Sequence, residues 1–401
     1  MTHDPTFVAI IERNLSYFTD EFAAANGNAG ELLQSERENI FDAVKYAARI
    51  PSANYHAAKL LTNIAPLIEQ NDSPSQWSQV FIRVLNRYNH ADTQAICNLY
   101  NRLGYFSCQA GEYRRSIKIY QRSLDLASEQ QHRFEMAFAK YGIGANYFRL
   151  SDLPRALAEA NAAQELLEAL HAEGMTNFDI FGNVNNLRGL LALSRGELEE
   201  AQGAFDNAID MFGRSDNLHL KGLVLLNVAL LLSRKREYAQ AEVIAASVVD
   251  QFETAGGWWL SSCEARTFLG NILLLQERWR DALDTFNHIS AHELRKRGHY
   301  KRCADLHNNL GTAHYHLQQF ASARSHLEES LETYKEFSPS PDWAAAMAIL
   351  AATYAYLGFR KRAKQMIAES SLMLNELGDV LHVSETWQYI EVAKAKLRGK
   401  R

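Results

Sequence analysis

Apolar and small residues recur along the chain at helical spacing, in paired stripes that short polar turns separate. The stretch from Gly189 to Ala208 shows the pattern most fully, because apolar positions follow one another in steps of three and four residues on both sides of Gly196. Glycine commonly ends a helix, so we expect one helix to end near Ser194 and a second to begin at Leu198 and run back along the first. The pattern predicts an antiparallel helical hairpin.

The same hairpin pattern occurs seven times. The units begin 40, 45, 40, 41, 41 and 40 positions apart, near Cys97, Ala137, Gly182, Gly222, Cys263, Ala304 and Ala344. Each unit has two small residues at one constant separation, Gly104 with Ser116, Gly144 with Ala156, Gly189 with Ala201, Ala229 with Ala241, Gly270 with Ala282, Gly311 with Ala323, and Ala351 with Ala363. Small side chains let helices pack closely, and repeats of this length are typical of helical solenoids. We therefore predict an all-α fold, a right-handed superhelix of hairpins.

The chain divides into four predicted parts. Residues 1–50 are an N-terminal helical segment, residues 51–96 a degenerate helical hairpin, residues 97–379 the seven repeats, and residues 380–401 a C-terminal capping helix with a basic tail. Ser35 and Glu38 stand at the spacing of a capping box, so we expect a helix to begin at Ser35.

Composition and motifs argue against several classes of function. The formal net charge of -5 disfavours general binding to polyanions. No run of 18 apolar residues and no basic-then-apolar leader pattern occurs, so we expect a cytoplasmic protein without a membrane partner. The sequence contains no phosphate-binding loop of the form G-x-x-x-x-G-K-[ST], no G-x-S-x-G and no H-E-x-x-H. We predict a chain that is not an enzyme and that needs no cofactor.

Cysteines and histidines are the remaining candidates for chemistry. The cysteines lack paired spacing, and we interpret them as reduced, packed thiols, with a zinc site or a redox pair as the alternatives: Cys97, Cys108, Cys263 and Cys303. Four histidines lie close together in sequence, His299, His307, His314 and His316. On one helix His316 points away from His307 and His314, so we predict packed or surface histidines and no metal site.

Asparagines recur on the predicted first helices of the repeats. Asn101, Asn186 and Asn308 occupy the same place in their repeats, and further amides lie one residue or about one helical turn away, Asn227, Asn98, Asn183 and Asn271. A carboxamide both donates and accepts hydrogen bonds, which suits the main chain of an extended peptide. The alternative is that these amides cap or bridge neighbouring helices.

The repeat resembles the tetratricopeptide repeat family. The resemblance rests on Leu103-Gly104, Leu269-Gly270 and Leu310-Gly311 in the first helices and on the aromatic residues after the turns, Tyr113, Tyr238, Trp279 and Phe320. The period is similar to that of the 40- to 42-residue variants found in bacterial signalling proteins and kinesin light chains. The resemblance implies that first helices line a concave groove for a peptide or protein, formed by Asn98, Asn101, Tyr105, Phe138, Tyr141, Asn183, Asn186, Asn227, Asn271, Asn308, Thr312 and Tyr315.

A second resemblance concerns the N-terminal part. Glu36, Asn39, Ile40 and Ala43 are similar to the Glu-x-x-Asn-Leu-x-x-Ala-like stretch that precedes the tetratricopeptide sensor of bacterial signal-transduction ATPases of the STAND class, with isoleucine in place of leucine. Because the phosphate-binding loop is missing, the chain resembles the sensor half without the ATPase. This resemblance implies either a free-standing sensor array or a fragment of a longer protein.

Charge adds one further candidate contact. Residues 291–401 contain 16 Lys and Arg against 12 Asp and Glu, and Arg360, Lys361 and Arg362 form one of the basic clusters. This cluster is a candidate contact for an acidic partner or nucleic acid, with solvated helix ends as the favoured alternative.

Two functions are consistent with the sequence. We favour a non-enzymatic scaffold that captures a peptide or protein segment in its groove and acts as a regulatory or sensor module; nucleic acid is not its expected partner. The alternative is a regulatory subunit or detached sensor half that acts with an ATPase or a transcription regulator and responds to a small molecule or nucleic acid.

Overall fold

The computed structural model describes residues 4–24, 29–71, 74–88, 92–256, 258–337, 339–377 and 383–399, and every regular element in these ranges is an α-helix. The helices are α1 (Pro5–Ala24), α2 (Ala29–Ala47), α3 (Pro51–Asn71), α4 (Pro74–Leu85), α5 (Thr93–Gln109), α6 (Tyr113–Glu129), α7 (Arg133–Arg149), α8 (Leu153–Ala172), α9 (Phe178–Arg195), α10 (Leu198–Arg214), α11 (Leu218–Arg234), α12 (Tyr238–Thr254), α13 (Trp259–Leu275), α14 (Trp279–Asn287), α15 (Ala291–Lys296), α16 (Tyr300–His316), α17 (Phe320–Tyr334), α18 (Pro341–Leu357), α19 (Arg360–Leu377) and α20 (Val383–Arg398). The predicted all-α fold class is confirmed.

The helices belong to two compact units. The first unit comprises Met1–Leu231 and Asp250–Ser262, and the second comprises Leu232–Val249 and Cys263–Arg401. In the first unit, α5 to α10 form three hairpins, and the second helices α6 and α8 also pack against the first helices α7 and α9 of the following hairpins. In the second unit, α16 to α19 form two further hairpins, and α20 packs against α18 and α19. Residues 380–382 of the predicted C-terminal part lie outside the described residues.

A left-handed residue follows the first helix of every repeat at the same place. The seven residues, each seven positions after the small residue of its first helix, have φ values from 59° to 84°: Gly111, Ser151, Gly196, Arg236, Glu277, Gln318 and Gly358. Glycine adopts this conformation at no steric cost, whereas the four other residues carry a modest strain. The turn predicted at Gly196 is therefore present, and its geometry is common to all seven repeats.

The small residues mark close contacts between the two helices of a hairpin. A Cβ added at Gly189 would lie 2.4 Å from the ring of Phe205, and one added at Gly270 would lie 2.3 Å from the ring of Phe286. Each aromatic residue stands 16 positions after its glycine. In the repeat that begins near Gly222, alanines occupy both places, and Ala229 and Ala245 are fully buried. At these positions, a glycine of the first helix faces an aromatic ring of the second helix, and an alanine faces another alanine, so that each pair fills the space between the helices.

The predicted start of the second helix is wrong. Helix α2 begins at Ala29 rather than at Ser35, so Ser35 lies inside the helix. Its hydroxyl donates a hydrogen bond to the carbonyl oxygen of Leu32, 3.1 Å away, as serine does within helices, and does not form the capping box with Glu38. The side chain of Leu33 is buried in the N-terminal core, which extends the apolar face of α2 to residues before Ser35.

We expect Gly189→Ala to destabilise the fold, because its Cβ would lie 2.4 Å from the ring of Phe205, which is itself fully buried. Overpacking of this kind costs about 1–3 kcal/mol. The midpoint of urea unfolding, followed by circular dichroism, measures the effect. In a Phe205→Ala background, Gly189→Ala should cost much less, since the ring that causes the clash is absent.

Gly203→Ala is the matched control. Gly203 lies within α10, and a Cβ added there meets no atom within 4 Å. Alanine in an exposed helix interior is more favourable than glycine by about 1 kcal/mol, so this variant should unfold at a higher urea concentration than the wild type. Equal midpoints for Gly189→Ala and the wild type would contradict the close-contact account.

Candidate functional site

The predicted site residues of the first unit lie on first helices that pack side by side. Helix α5 contacts α7, and α7 contacts α9, so the three helices form a continuous row. Asn98 on α5 and Asn183 on α9 are half-buried, as expected for residues at the edge of such a row. The amides of α5 and α9 thus lie on two helices of one row, with α7 between them.

The amides of Asn186 and Asn227 are hydrogen-bonded to each other. The Nδ2 of Asn227, on α11, donates to the Oδ1 of Asn186, on α9, at 2.7 Å, and both side chains are half-buried. This bond uses one donor and one acceptor. It leaves the Nδ2 of Asn186 and the Oδ1 of Asn227 as a neighbouring donor and acceptor, with no protein partner shown among the described residues.

Asn101 and Asn308 are more deeply buried than the other predicted amides. Their exposed fractions are 3% and 8%, and the Oδ1 of each has no hydrogen-bond partner among the described residues. A buried carbonyl without a partner costs about 1–3 kcal/mol relative to a satisfied one. The half-buried amides of Asn186 and Asn227 are more accessible than those of Asn101 and Asn308.

Aromatic side chains stand beside the asparagines on the neighbouring first helices. The rings of Phe138 and Tyr141 on α7 form an edge-to-face pair with centroids 5.8 Å apart. The guanidinium of Arg102 lies 6.0 Å from the centroid of Phe138, within cation–π range. The hydroxyl of Tyr105 accepts a hydrogen bond of 2.7 Å from Gln109, in the last turn of α5. These residues provide a half-buried aromatic surface next to α9.

The predicted site residues of the second unit have different surroundings. Asn271 is exposed on α13, and the hydroxyl of Thr312 donates to the backbone oxygen of Asn308 at 2.8 Å. Tyr315 belongs to an aromatic cluster, with its ring centroid 5.6 Å from that of Tyr389 on α20. Burial raises the pKa of Tyr315 to about 12. Its side chain is thus covered by the last helix of the chain.

Two arginines of the predicted basic cluster make contacts within the chain. The guanidinium of Arg360 donates a 2.6 Å hydrogen bond to the backbone oxygen of Leu397, near the end of α20. Arg362 lies 3.8 Å from the carboxylate of Glu328. Lys361 is exposed. Arg360 and Arg362 are exposed as well, and a partner contact by this cluster stays a prediction.

The histidines form a pair that the sequence analysis missed. The Nδ1 atoms of His307 and His326 are 3.0 Å apart, and the ring of His314 stacks on that of His326 with centroids 5.3 Å apart. His316 instead stacks on Trp279. Among the described residues, no three His, Cys, Asp or Glu side chains are arranged to hold a metal ion.

The positions of the two histidines within their repeat are the sequence feature that predicts this pair. His307 and His326 are 19 residues apart, and the ion pair of Lys140 with Glu159, 3.2 Å, occupies the same two places in an earlier repeat. These places bring side chains of the two helices of one hairpin together. A comparison between repeats would have identified His326 as the partner of His307.

The cysteines are free thiols in the structure. Burial raises the pKa of Cys97 to about 11 and that of Cys263 to about 12, so both remain protonated near neutral pH. A protonated thiol is a poor nucleophile and a poor metal ligand, which agrees with a packing role.

Comparison with family models shows two matches. Residues 99–134 and residues 261–336 each match a model described as a tetratricopeptide repeat. The chain therefore contains tetratricopeptide repeats in these two segments. No curated protein sequence matches it significantly. Among the described residues, no helix has the length and hydropathy needed to cross a membrane.

Solved structures share the fold of this chain at low sequence identity. The Rap conjugation gene regulator of plasmid pLS20, in complex with the Phr* peptide, has a TM-score of 0.52 and 12% identity over 93% of this chain and 96% of that one. The apo quorum sensor NprR from B. thuringiensis has a TM-score of 0.54 and 14% identity over 91% and 99%.

A STAND protein with a tetratricopeptide repeat sensor is also similar. The protein, from Pyrococcus horikoshii, has a TM-score of 0.53 and 14% identity over 90% of this chain. The chain spans 55% of that protein's length. This similarity supports the resemblance to a sensor half at the level of the fold.

The histidine cluster predicts a pH dependence of stability. Burial, together with the charges of His307 and His314, lowers the pKa of His326 to about 4, against the opposing effect of Glu329. Burial and the charge of Arg295 lower the pKa of His307, again against Glu329. A pKa below the unfolded value of about 6.5 means that this stabilisation is complete above pH 6.5 and is lost as the pH falls towards 4.

We therefore expect His326→Asn to have a shallower loss of stability between pH 6.5 and 4 than the wild type, measured by urea unfolding at each pH. His292→Asn is the control, because the side chain of His292 is 83% exposed and should leave the wild-type slope unchanged. Parallel slopes for His326→Asn and the wild type would show that the cluster does not couple protonation to folding.

Proposed function

We propose that this chain is a non-enzymatic scaffold that binds a peptide or protein segment on its first helices, with Asn186 and Asn227 as the main-chain contacts. The observation that carries the proposal is the 2.7 Å bond between their amides, which leaves one donor and one acceptor side by side. A peptide group also has one acceptor and one donor, and so complements the pair. An extended guest that lies across α9 and α11 can make both bonds with one of its residues.

The aromatic surface on α7 supports this assignment. Phe138 and Tyr141 lie on the first helix next to α9, so a guest held by the amides extends towards their rings. Flat, half-buried aromatic surfaces bind apolar and aromatic side chains well and lose little entropy in doing so. We infer that the amides hold the main chain of the guest and that the rings select a nearby apolar side chain.

The comparisons support a peptide as the guest. The Rap regulator of plasmid pLS20 was solved with the Phr* peptide bound, and its fold covers nearly all of this chain. We propose a regulatory or sensor role in the cytoplasm, in which guest binding changes contacts with a protein partner. The similarity to the Pyrococcus STAND protein favours a second function, a sensor array that acts on an ATPase or transcription regulator carried by another chain.

Selection of peptides from a random 12-residue library on the wild-type chain tests the proposal. We expect Asn186→Ala with Asn227→Ala to weaken the binding of a selected synthetic peptide by about 1–3 kcal/mol, because two hydrogen bonds to the guest are lost. Isothermal titration calorimetry measures the affinity, and circular dichroism checks the helical content.

Asn207→Ala is the matched control. Asn207 is an exposed asparagine on α10, the second helix of the hairpin that contains Asn186. Its removal should leave peptide affinity unchanged. If no peptide is selected, or if the double variant binds the peptide as tightly as the control while folding normally, the amide-pair proposal is wrong.

A further inference from the structure

Helix α20 packs differently from the other helices that follow a hairpin. Helix α7 packs more extensively against α6, the second helix before it, than against α5, the first helix before it. Helix α20 instead packs mainly against the first helix α18 and makes a smaller contact with the second helix α19. It therefore lies over the first-helix face of the last repeat.

One side chain of α20 reaches past α18 to α16. The hydroxyl of Tyr389 is 2.8 Å from the Nε2 of His316, in the last turn of α16. The ring of His316 stacks on Trp279 with centroids 4.0 Å apart. The ring of Tyr389 also lies 5.6 Å from that of Tyr315. Tyr389 thus contacts the aromatic end of α16, where His316 is itself stacked on Trp279.

One apolar contact of α20 falls on the position where three other repeats carry asparagine. Ile390 is fully buried and shares a hydrophobic cluster with Ala344 and Ala348 of α18. Ala348 occupies the same place in its repeat as Asn101, Asn186 and Asn308. Further along α20, Ala393 and Leu397 are buried against the core that α18 contributes to. An apolar helix therefore covers the last repeat at the position of the asparagine row.

The end of α20 is held by two polar contacts. The ammonium of Lys396 lies 4.6 Å from the ring centroid of Tyr356, a cation–π contact. Arg360 donates to the backbone oxygen of Leu397. The opposite face of α20 is exposed, at Gln388, Glu391, Val392 and Ala395. Helix α20 is bound through one face, in the manner of an amphipathic helix in a groove.

We propose that α20 is an internal ligand, and that the surface of α16 and α18 beneath it is a binding site for an amphipathic helix of a partner protein. The partner helix matches the contact face of α20: an aromatic residue, an aliphatic residue next to it, a small residue four positions after the aromatic one, a lysine at seven and an aliphatic residue at eight. The partner binds when α20 leaves. This inference extends the proposed use of first helices to a second, helical guest.

Tethering makes α20 a strong competitor. A helix on a short linker has an effective concentration on the order of 1 mM. If α20 as a free peptide binds its site with a Kd of about 10 µM, the tethered α20 weakens the binding of any competing helix about 100-fold. The covered site therefore rejects weak amphipathic helices and accepts only a partner that binds tightly or is locally concentrated. In this way α20 determines how tightly a partner helix must bind in order to displace it.

A fluorescein-labelled synthetic peptide with the sequence of residues 383–399 tests the proposal on the full chain. We expect Ile390→Asp, which places a charge in the buried contact of α20, to release the helix and to bind the peptide at least about tenfold more tightly than the wild type does, by fluorescence anisotropy. Val392→Asp is the matched control: it introduces the same residue two positions later, on the exposed face, and should behave like the wild type.

The site itself is tested within the released chain. Adding Tyr315→Ala and His316→Ala to Ile390→Asp should weaken peptide binding at least tenfold, because the site for Tyr389 is lost. If a folded Ile390→Asp chain binds the peptide no better than Val392→Asp, the proposal is overturned. Asn186 and Asn227 are left unchanged in these variants, so this failure leaves the asparagine-pair experiment unaffected.

Hydrogen exchange of the wild-type chain gives a measurement that does not depend on any variant. A displaceable helix opens without global unfolding, so the amides of α20 should exchange at least about tenfold faster than those of α16 and α18. Addition of the unlabelled peptide in excess should raise α20 exchange further. Equal protection of α20 and α18, unchanged by the peptide, would show that α20 is a fixed part of the fold.

Discussion

The close contact between the two helices of each repeat is the constraint on which the rest of the structure depends. At Gly189 and Gly270 of the first helices, an aromatic ring of the second helix fills the space that a Cβ would occupy. Where it has alanine, as at Ala229, the facing residue Ala245 is small as well. Because this packing tolerates only tenths of an ångström, it holds both helices in one register. Residues at fixed distances from the small residue then have fixed partners, which explains why Lys140 meets Glu159 and His307 meets His326.

The same register places the asparagines on neighbouring first helices, but it does not give them the same environment. Asn101 and Asn308 are buried, whereas Asn186 is half-buried and bonded to Asn227. Asn186 bonds to an amide of the next repeat, whereas the Oδ1 atoms of Asn101 and Asn308 have no hydrogen-bond partner among the described residues. Asparagines at the same position of different repeats are therefore candidates for a binding surface. Packing between repeats decides which of them are accessible.

Helix α18 shows how the last repeat departs from the others. It has alanines where the other first helices have polar residues, and it is buried around most of its circumference. A helix that is apolar on all sides needs cover on all sides. Helix α20 supplies that cover and uses the aromatic end of α16 as a second anchor. The composition of α18 was thus a signal in the sequence that a further element lies over its first-helix face.

The sequence by itself determined the all-α class, the paired small residues and the turn at Gly196, because all of these follow from periodicity and from local steric limits on the backbone. Local reasoning placed the start of α2 wrongly, since the burial of Leu33 outweighed a capping signal at Ser35. Only the tertiary structure decided which asparagines bond to each other, that His326 joins His307, and that the predicted C-terminal capping helix lies on the first helix α18 and reaches α16. These features depend on contacts between side chains distant in sequence, and the free energies of such contacts depend on size, charge and burial that neighbouring helices impose together.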